Sequence, residues 1–193
     1  MIRPHQPFAR LALAAALAFA ALPAAADEFT DTVESALKAY TDGDVDGARQ
    51  DLDYASKLLG SMKAQSLAKF LPEALPGWTR AEPSDGDSAD FMGMFGGGTT
   101  TEASYSKDGA DLTITLVANS PMVSSVAAMI SGVAGMATGD KPIRVQRTEF
   151  HHDGDELQGV VNNKVMVSVS GSATIEDKTA YLEAMDFKAL GDF

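Results

Sequence analysis

Cysteine is absent from this chain of 193 residues, only 7% of the residues are aromatic, and 15 Lys and Arg face 27 Asp and Glu. Without a thiol there is no disulfide framework, no cysteine nucleophile, no iron–sulfur ligand and no cysteine-based zinc site. A formal charge of −12 repels phosphate backbones and anionic lipid, which argues against nucleic acids and membrane surfaces as partners. Histidine is scarce as well: beyond His5 there are only the adjacent His151 and His152. The chain also lacks a G-x-S-x-G elbow, the turn on which many hydrolases present a nucleophilic serine.

What is present begins with a leader. Arg3 and Arg10 accompany an apolar run from Leu11 to Leu22, followed by Pro23 and Ala24-Ala25-Ala26 ahead of Asp27-Glu28. A charged start, a short apolar stretch and small residues make a secretory signal, with cleavage expected after Ala26. The apolar run is shorter than the ~20 residues of a membrane span, so no stable membrane insertion is expected after signal removal. The arginines are not paired and no Cys follows to carry a lipid, which leaves a soluble exported protein. An Ala-rich signal of this kind points to a bacterial periplasm. Removing residues 1–26 takes two of the 15 basic residues and none of the 27 acidic ones, so the charge moves from −12 to −14. The 193 − 26 = 167 residues that remain suffice to bury a core without covalent staples.

Phe29, Val33, Ala36, Leu37 and Tyr40 recur at helical spacing and predict a helix over 28–41. After Asp42-Gly43-Asp44 the pattern resumes with Val45, Ala48, Leu52, Ala55, Leu58, Leu59 and Met62, with Asp44 as a capping residue. This second helix is expected to reach Ser61 and to continue through Leu67 and Phe70 to Pro72. A tight turn between two amphipathic helices makes an antiparallel hairpin over 27–72. From residue 73 the period changes. Leu75-Pro76-Gly77-Trp78 opens a short strand, and 83–98 reads as a Gly- and Asp-rich loop. Thr101, Ala103, Tyr105 and Leu112, Ile114, Leu116 alternate with polar neighbours across Lys107-Asp108-Gly109-Ala110, a β-hairpin. A helix over 121–138 follows, then strands over 143–150, 156–161 and 164–170, with turns at Asp153-Gly154 and Asn162-Asn163, and a last helix over 177–190. The expected class is α+β: an N-terminal helical hairpin, then a mostly antiparallel sheet over 73–193 with two helices packed on one face.

Two resemblances follow from these residues. Ala36-Leu37-Lys38-Ala39-Tyr40, Gly43-Asp44 and then Ala48, Leu52 and Ala55 resemble a single tetratricopeptide-type unit. Such units bury a continuous core only by stacking, and one copy implies no more than a helical hairpin. From Trp78 to Leu190 the order of elements is similar to the small α/β sandwiches of the PsbP and Mog1 type. Leu75-Pro76-Gly77-Trp78, Gly93-Met94-Phe95-Gly96-Gly97-Gly98 and the terminal helix resemble small exported proteobacterial proteins of unassigned function. The resemblance implies a fold and accessory or binding roles, and carries no catalytic residue with it.

Four stretches invite a functional reading. Asp42, Asp44, Asp46, Gly47 and Asp53 match the oxygen positions and the glycine of a calcium-binding loop, because calcium takes six to eight hard oxygens. The competing reading is an acidic helix start favoured by the helix dipole. His151-His152-Asp153-Gly154-Asp155-Glu156 offers metal donors, yet adjacent strand residues point to opposite faces. Phe91, Met92, Met94 and Phe95 beside three glycines suit either soft copper(I) ligation or an adaptable apolar flap. Finally, Leu112 to Gly139 contains no charged residue. In the helix within it Met122, Val126, Met129, Ile130, Val133 and Met136 form a stripe expected to dock on the sheet. Ser124, Ala128, Ser131, Gly132 and Gly135 form an uncharged side covered either by the N-terminal hairpin or by a partner.

These readings combine into a periplasmic, non-enzymatic accessory protein with no resident cofactor, contacting a protein partner, a further copy of itself or a small apolar ligand through Phe91, Met92, Met94, Phe95, Ala128, Gly132 and Gly135. The alternative is a periplasmic metal-binding protein, with calcium at Asp42, Asp44, Asp46 and Asp53 or copper at the Met and His sites. Processing gives the first prediction: the exported protein has an intact mass that begins at Asp27, and a soluble species retaining residues 1–26 removes the export reading.

Overall fold

A computed structural model describes residues 24–81, 98–131 and 141–193. The leader up to Pro23, the segment with Phe91, Met92, Met94 and Phe95, and the glycines Gly132 and Gly135 lie outside the described residues. Five helices are described: α1 (Ala24–Thr41), α2 (Val45–Ala68), α3 (Pro121–Ser131), α4 (Ile175–Ala184) and α5 (Phe187–Leu190). Seven strands, β1 (Thr79–Arg80), β2 (Thr99–Lys107), β3 (Ala110–Ala118), β4 (Ile143–Val145), β5 (Thr148–Asp153), β6 (Glu156–Val161) and β7 (Val165–Ser170), form one sheet in the order β1-β2-β3-β7-β6-β5-β4. Every neighbouring pair is antiparallel. The α+β class read from the sequence is the observed one.

The turns explain the register. Asp108 and Gly109 both have positive φ, as do Asn162 and Asn163, and paired positive φ values give the tight turns that match strand twist. Leu75-Pro76-Gly77-Trp78 closes on itself through Trp78 N–H donating to the Leu75 carbonyl at 2.9 Å, with Gly77 at φ 84°. Proline followed by a positive-φ glycine is the sequence of a type II turn. At the helical hairpin, Gly43 ends α1 with φ 86°, and the Asp44 carboxylate accepts from Gly47 N–H at 2.9 Å to start α2.

Alternation then divides the sheet. Ala103, Tyr105, Leu112, Ile114, Leu116, Phe150, Leu157, Val161, Val165, Val167 and Val169 face the main core, where they meet α4, α5 and the C-terminal end of α2. Gly159 is pinned there, since a Cβ would stand 2.8 Å from both the Phe150 ring and the Glu149 carbonyl. The opposite face carries a smaller apolar cluster, Val117, Val123 and Met166 with Val126 and Val160, under α3. Helices therefore cover both faces, which corrects the one-sided arrangement expected from the sequence: Val117, Val160 and Met166 put apolar surface on the second face, and it needs a cover.

Two boundaries also differ. The strand expected over 143–150 is two strands, folded back at Gln146 and Arg147 with φ of 46° and 75°. The Gln146 amide donates to the carbonyls of Glu183 at 3.0 Å and Met185 at 2.7 Å, capping the end of α4. The terminal helix breaks at Met185, whose ψ of 148° is extended, and restarts with Asp186 as the cap of α5.

An aromatic clamp joins helices, linker and sheet. Tyr181 of α4 lies edge-on to Trp78, with centroids 5.5 Å apart, and 4.4 Å from Tyr105 of β2. Tyr105 Oη donates to the Pro72 carbonyl at 2.6 Å, and Leu75 N–H donates to Tyr181 Oη at 3.2 Å. Burial pushes the Tyr105 phenol up to about 12, with the Arg80 charge opposing it, and burial raises Tyr181 as well. A phenol whose folded value exceeds its unfolded one contributes stability that is complete below about pH 10 and lost toward about pH 12. Tyr105→Phe is thus expected to cost ~1 kcal/mol at pH 7 for the lost hydrogen bond and to flatten the alkaline decline. Urea melts of both proteins at pH 7 and pH 11 check it; equal alkaline slopes defeat the assignment.

Candidate functional site

The hairpin of α1 and α2 packs through small residues. Ala36, Ala48 and Ala55 are buried along its seam, which lets the two backbones approach closely. Helix geometry places Val33, Leu37 and Tyr40 to one side of the seam on α1, and Val45, Leu52 and Leu59 to one side on α2. Because the helices are antiparallel, these two sides fall on the same face. Glu28, Asp31 and Ser35 fall together with Asp51 and Tyr54 on the other, where Tyr54 Oη donates to Glu28 Oε1 at 2.6 Å.

The two faces differ in chemistry. One is a polar cleft of about 590 Å³ lined by Asp27, Glu28, Asp31, Thr32, Ser35, Asp51 and Tyr54. Glu28 accepts the Tyr54 hydrogen bond and adds its charge, and so raises the phenol above its ordinary value. The other face is apolar and open: Leu37, Tyr40, Val45, Leu52 and Leu59 are 45–66% exposed, and Val33 is 37% exposed. Sequence reasoning used these positions to define two amphipathic helices and did not select them as a contact surface. The signals were the seven-residue spacing of Val45, Leu52 and Leu59, and a repeat-type unit with no second unit to cover it.

The carboxylates expected to share calcium are spread apart. Asp44 caps α2 through Gly47 N–H, and Asp42 pairs with Lys38 at 2.5 Å. Asp46 lies in the first turn of α2 and Asp53 further along the same helix, about 10 Å away along its axis. No group of three or more acidic or histidine residues suited to a metal occurs among the described residues.

On the sheet's second face a polar row runs across five strands: Glu102, Thr115, Ser168, Gln158 and His151 are successive cross-strand partners. His151 Nε2 is buried without a hydrogen-bond partner. His152 shares the opposite face with Phe150, so the two imidazoles do not converge. Ser168 Oγ donates to Glu156 Oε1, but Gln158 stands between Ser168 and His151. Two strand spacings, about 10 Å, keep that serine beyond hydrogen-bond reach of the imidazole.

Helix α3 packs on β6 and β7. Val123 and Ala127 are buried and Val126 half-buried, while Met122 is only half-buried, so the docking side is rotated from the expected Met122–Val126 stripe. The turn into the helix has Asn119 at φ 56° and Ser120 Oγ accepting from Met122 N–H at 3.2 Å. Ser124, Ser125 and Ala128 are exposed, and the α1–α2 hairpin makes its main sheet contact elsewhere, on β2 through α2. No helix among the described residues is long and apolar enough to cross a membrane. Comparison with protein-family models, curated proteins and solved structures finds no match.

Calcium provides a direct check on the Asp42–Asp53 geometry. Binding at a hundred times the dissociation constant stabilises a protein by about 2.7 kcal/mol, whereas a capped helix start gains nothing of the kind. Millimolar calcium is expected to leave Tm unchanged; a rise of several degrees that Asp46→Ala abolishes reinstates the ion site.

Proposed function

We propose that this chain is an exported, periplasmic, non-enzymatic accessory protein that works by holding another protein, and that the apolar face of the α1–α2 hairpin is its principal contact surface. The observation that carries the reading is the exposure of Leu37, Tyr40, Val45, Leu52 and Leu59 on one face. A single exposed leucine is commonplace, but a contiguous apolar patch rimmed by polar residues marks an interaction surface. The outward side of α3, with Ser124, Ser125 and Ala128, is a smaller surface of the same uncharged character, and the Phe91 to Phe95 segment belongs with it as an adaptable contact.

Binding of a small apolar ligand has less support, because the hairpin cleft of about 590 Å³ and a second cavity of about 230 Å³ beside Arg147, Glu149, Asn162 and Asn163 are both lined mainly by polar side chains. Such ligands favour concave, mostly apolar sites. Metal handling has less support for the reason given by Asp44 and Asp42, whose carboxylates are engaged locally. A hydrolytic reading finds little support in Ser168 and His151, which lie two strand spacings apart, beyond hydrogen-bond reach. The PsbP and Mog1 resemblance fits this role at the level of fold.

Substitution separates the two surfaces. With wild-type protein immobilised and periplasmic extract passed over it, Leu37→Glu is expected to reduce retention of the bound protein at least tenfold, as a charge at an interface core does. Ala128→Glu is expected to reduce it less than twofold. The reverse pattern moves the contact to α3, and equal retention by all three proteins removes the binding reading.

A further inference from the structure

Building on the hairpin as a contact surface, we infer that its apolar face is occupied by a second copy of this chain, the two hairpins closing into an antiparallel four-helix bundle about a two-fold axis at Leu52.

Area is the first argument. The six exposed residues Val33, Leu37, Tyr40, Val45, Leu52 and Leu59 leave on the order of 600 Å² of side-chain surface in water, at the upper end of what monomers expose. Each partner in a standard stable interface buries about 800 Å². Full cover of the apolar face would supply roughly three quarters of that figure in one symmetric contact.

Spacing is the second. Val45, Leu52 and Leu59 repeat every seven residues, the interval at which a helix presents one seam to another helix. Ala48 and Ala55, buried against α1, occupy the alternate positions of the same repeat. A strict heptad therefore has one of its lines spent within the hairpin and the other free. The free line is also symmetric about its centre: turned antiparallel on itself, Leu52 meets Leu52, and Val45 meets Leu59 at both ends, about 10 Å away on either side. An isologous contact requires this self-complementarity.

Charge is the third. A chain with a formal charge of −12 resists association with its own copy unless the contacting surface departs from the average. Four of the nine acidic side chains of the hairpin, Asp27, Glu28, Asp31 and Asp51, line the cleft on the opposite face. On the border of the apolar face α2 carries Arg49 one turn before Asp53, Asp46 a heptad before Asp53, and Lys63 nearer the end of the helix, all exposed. In the antiparallel pairing Arg49 of one copy lies about 3 Å along the axis from Asp53 of the other, the same offset that separates the two Asp53 side chains, so the arginines offset that like-charge pair and the α2 border is balanced where the rest of the surface is acidic.

The absence of cysteine makes the test clean. Wild-type protein is expected to sediment as a concentration-dependent dimer. Leu52→Glu, at an exposed position, is expected to weaken it at least a hundredfold with unchanged circular dichroism, and to melt as the wild type does at concentrations where that is monomeric. Leu52→Cys is expected to oxidise to a disulfide-linked dimer, while Ser35→Cys, on the acidic face, stays monomeric in the cross-linking assay. A wild type that remains monomeric where even a millimolar dissociation constant shows dimer, or a dimer indifferent to Leu52→Glu, overturns the inference. A monomeric wild type whose capture of another protein is still lost in Leu37→Glu overturns self-association alone and leaves the binding reading in place.

Discussion

Tyr181 is the residue on which the assembly of this fold turns. Its ring contacts Trp78 and Tyr105, and its hydroxyl holds the Leu75 backbone, so three segments far apart in the chain meet at one side chain. Tyr105 completes the join by fixing the Pro72 carbonyl. Through these two phenols the linker after α2 is tied to the sheet and to α4 together. The position of the helical hairpin on the sheet follows from that junction, since Leu67 and Leu71 enter the same core just before it. Aromatic pairs add about 0.5–1.5 kcal/mol beyond their buried area, and each hydrogen bond here satisfies a polar group that burial would otherwise penalise.

Beyond that junction the molecule changes character. The sheet and its terminal helices bury large residues: Tyr105, Tyr181, Phe150, Leu112 and Leu116 are almost inaccessible. The distal hairpin buries alanines and exposes leucines. A pair of helices has two broad faces and one seam, and small seam residues draw the helices together at the expense of side-chain volume buried between them. Large apolar residues on one flank are then left for something outside the hairpin. On the second sheet face polar side chains pair with one another instead, Ser104 with Thr113 at 2.9 Å and Ser168 with Glu156, while His151 Nε2 is buried without a partner.

Turn chemistry was the most legible feature of the sequence. Asp108-Gly109 and Asn162-Asn163 carry residue types that tolerate positive φ, and Pro76-Gly77 prescribes a type II turn, so their conformations follow from composition. The start of α2 was legible for the same reason, as Asp44 is a capping residue by type and by place. Gln146-Arg147 was not: neither residue favours positive φ, and the turn is held by a side chain reaching carbonyls at the end of α4, a contact between residues 36 or more positions apart. The rotation of α3 was hidden likewise, because an uncharged helix has no polar face to say which side turns outward. At the candidate site, pattern alone identified the apolar positions of α1 and α2 but not what they face; periodicity reports which residues share a face and is silent on whether anything covers it.

The edges of the sheet set a limit on how this protein can meet others. β1 has two residues and β4 three, and β1 pairs only with Tyr105 and Ser106 of the nine-residue β2. A short border is a poor template for strand addition, the route by which many sheets polymerise or capture extended peptides. Helices engage differently, through side chains alone, because their backbone groups are already satisfied internally. Contacts of that kind are specified residue by residue, so an assembly built on the α1–α2 hairpin would stop once its matching surface is used up.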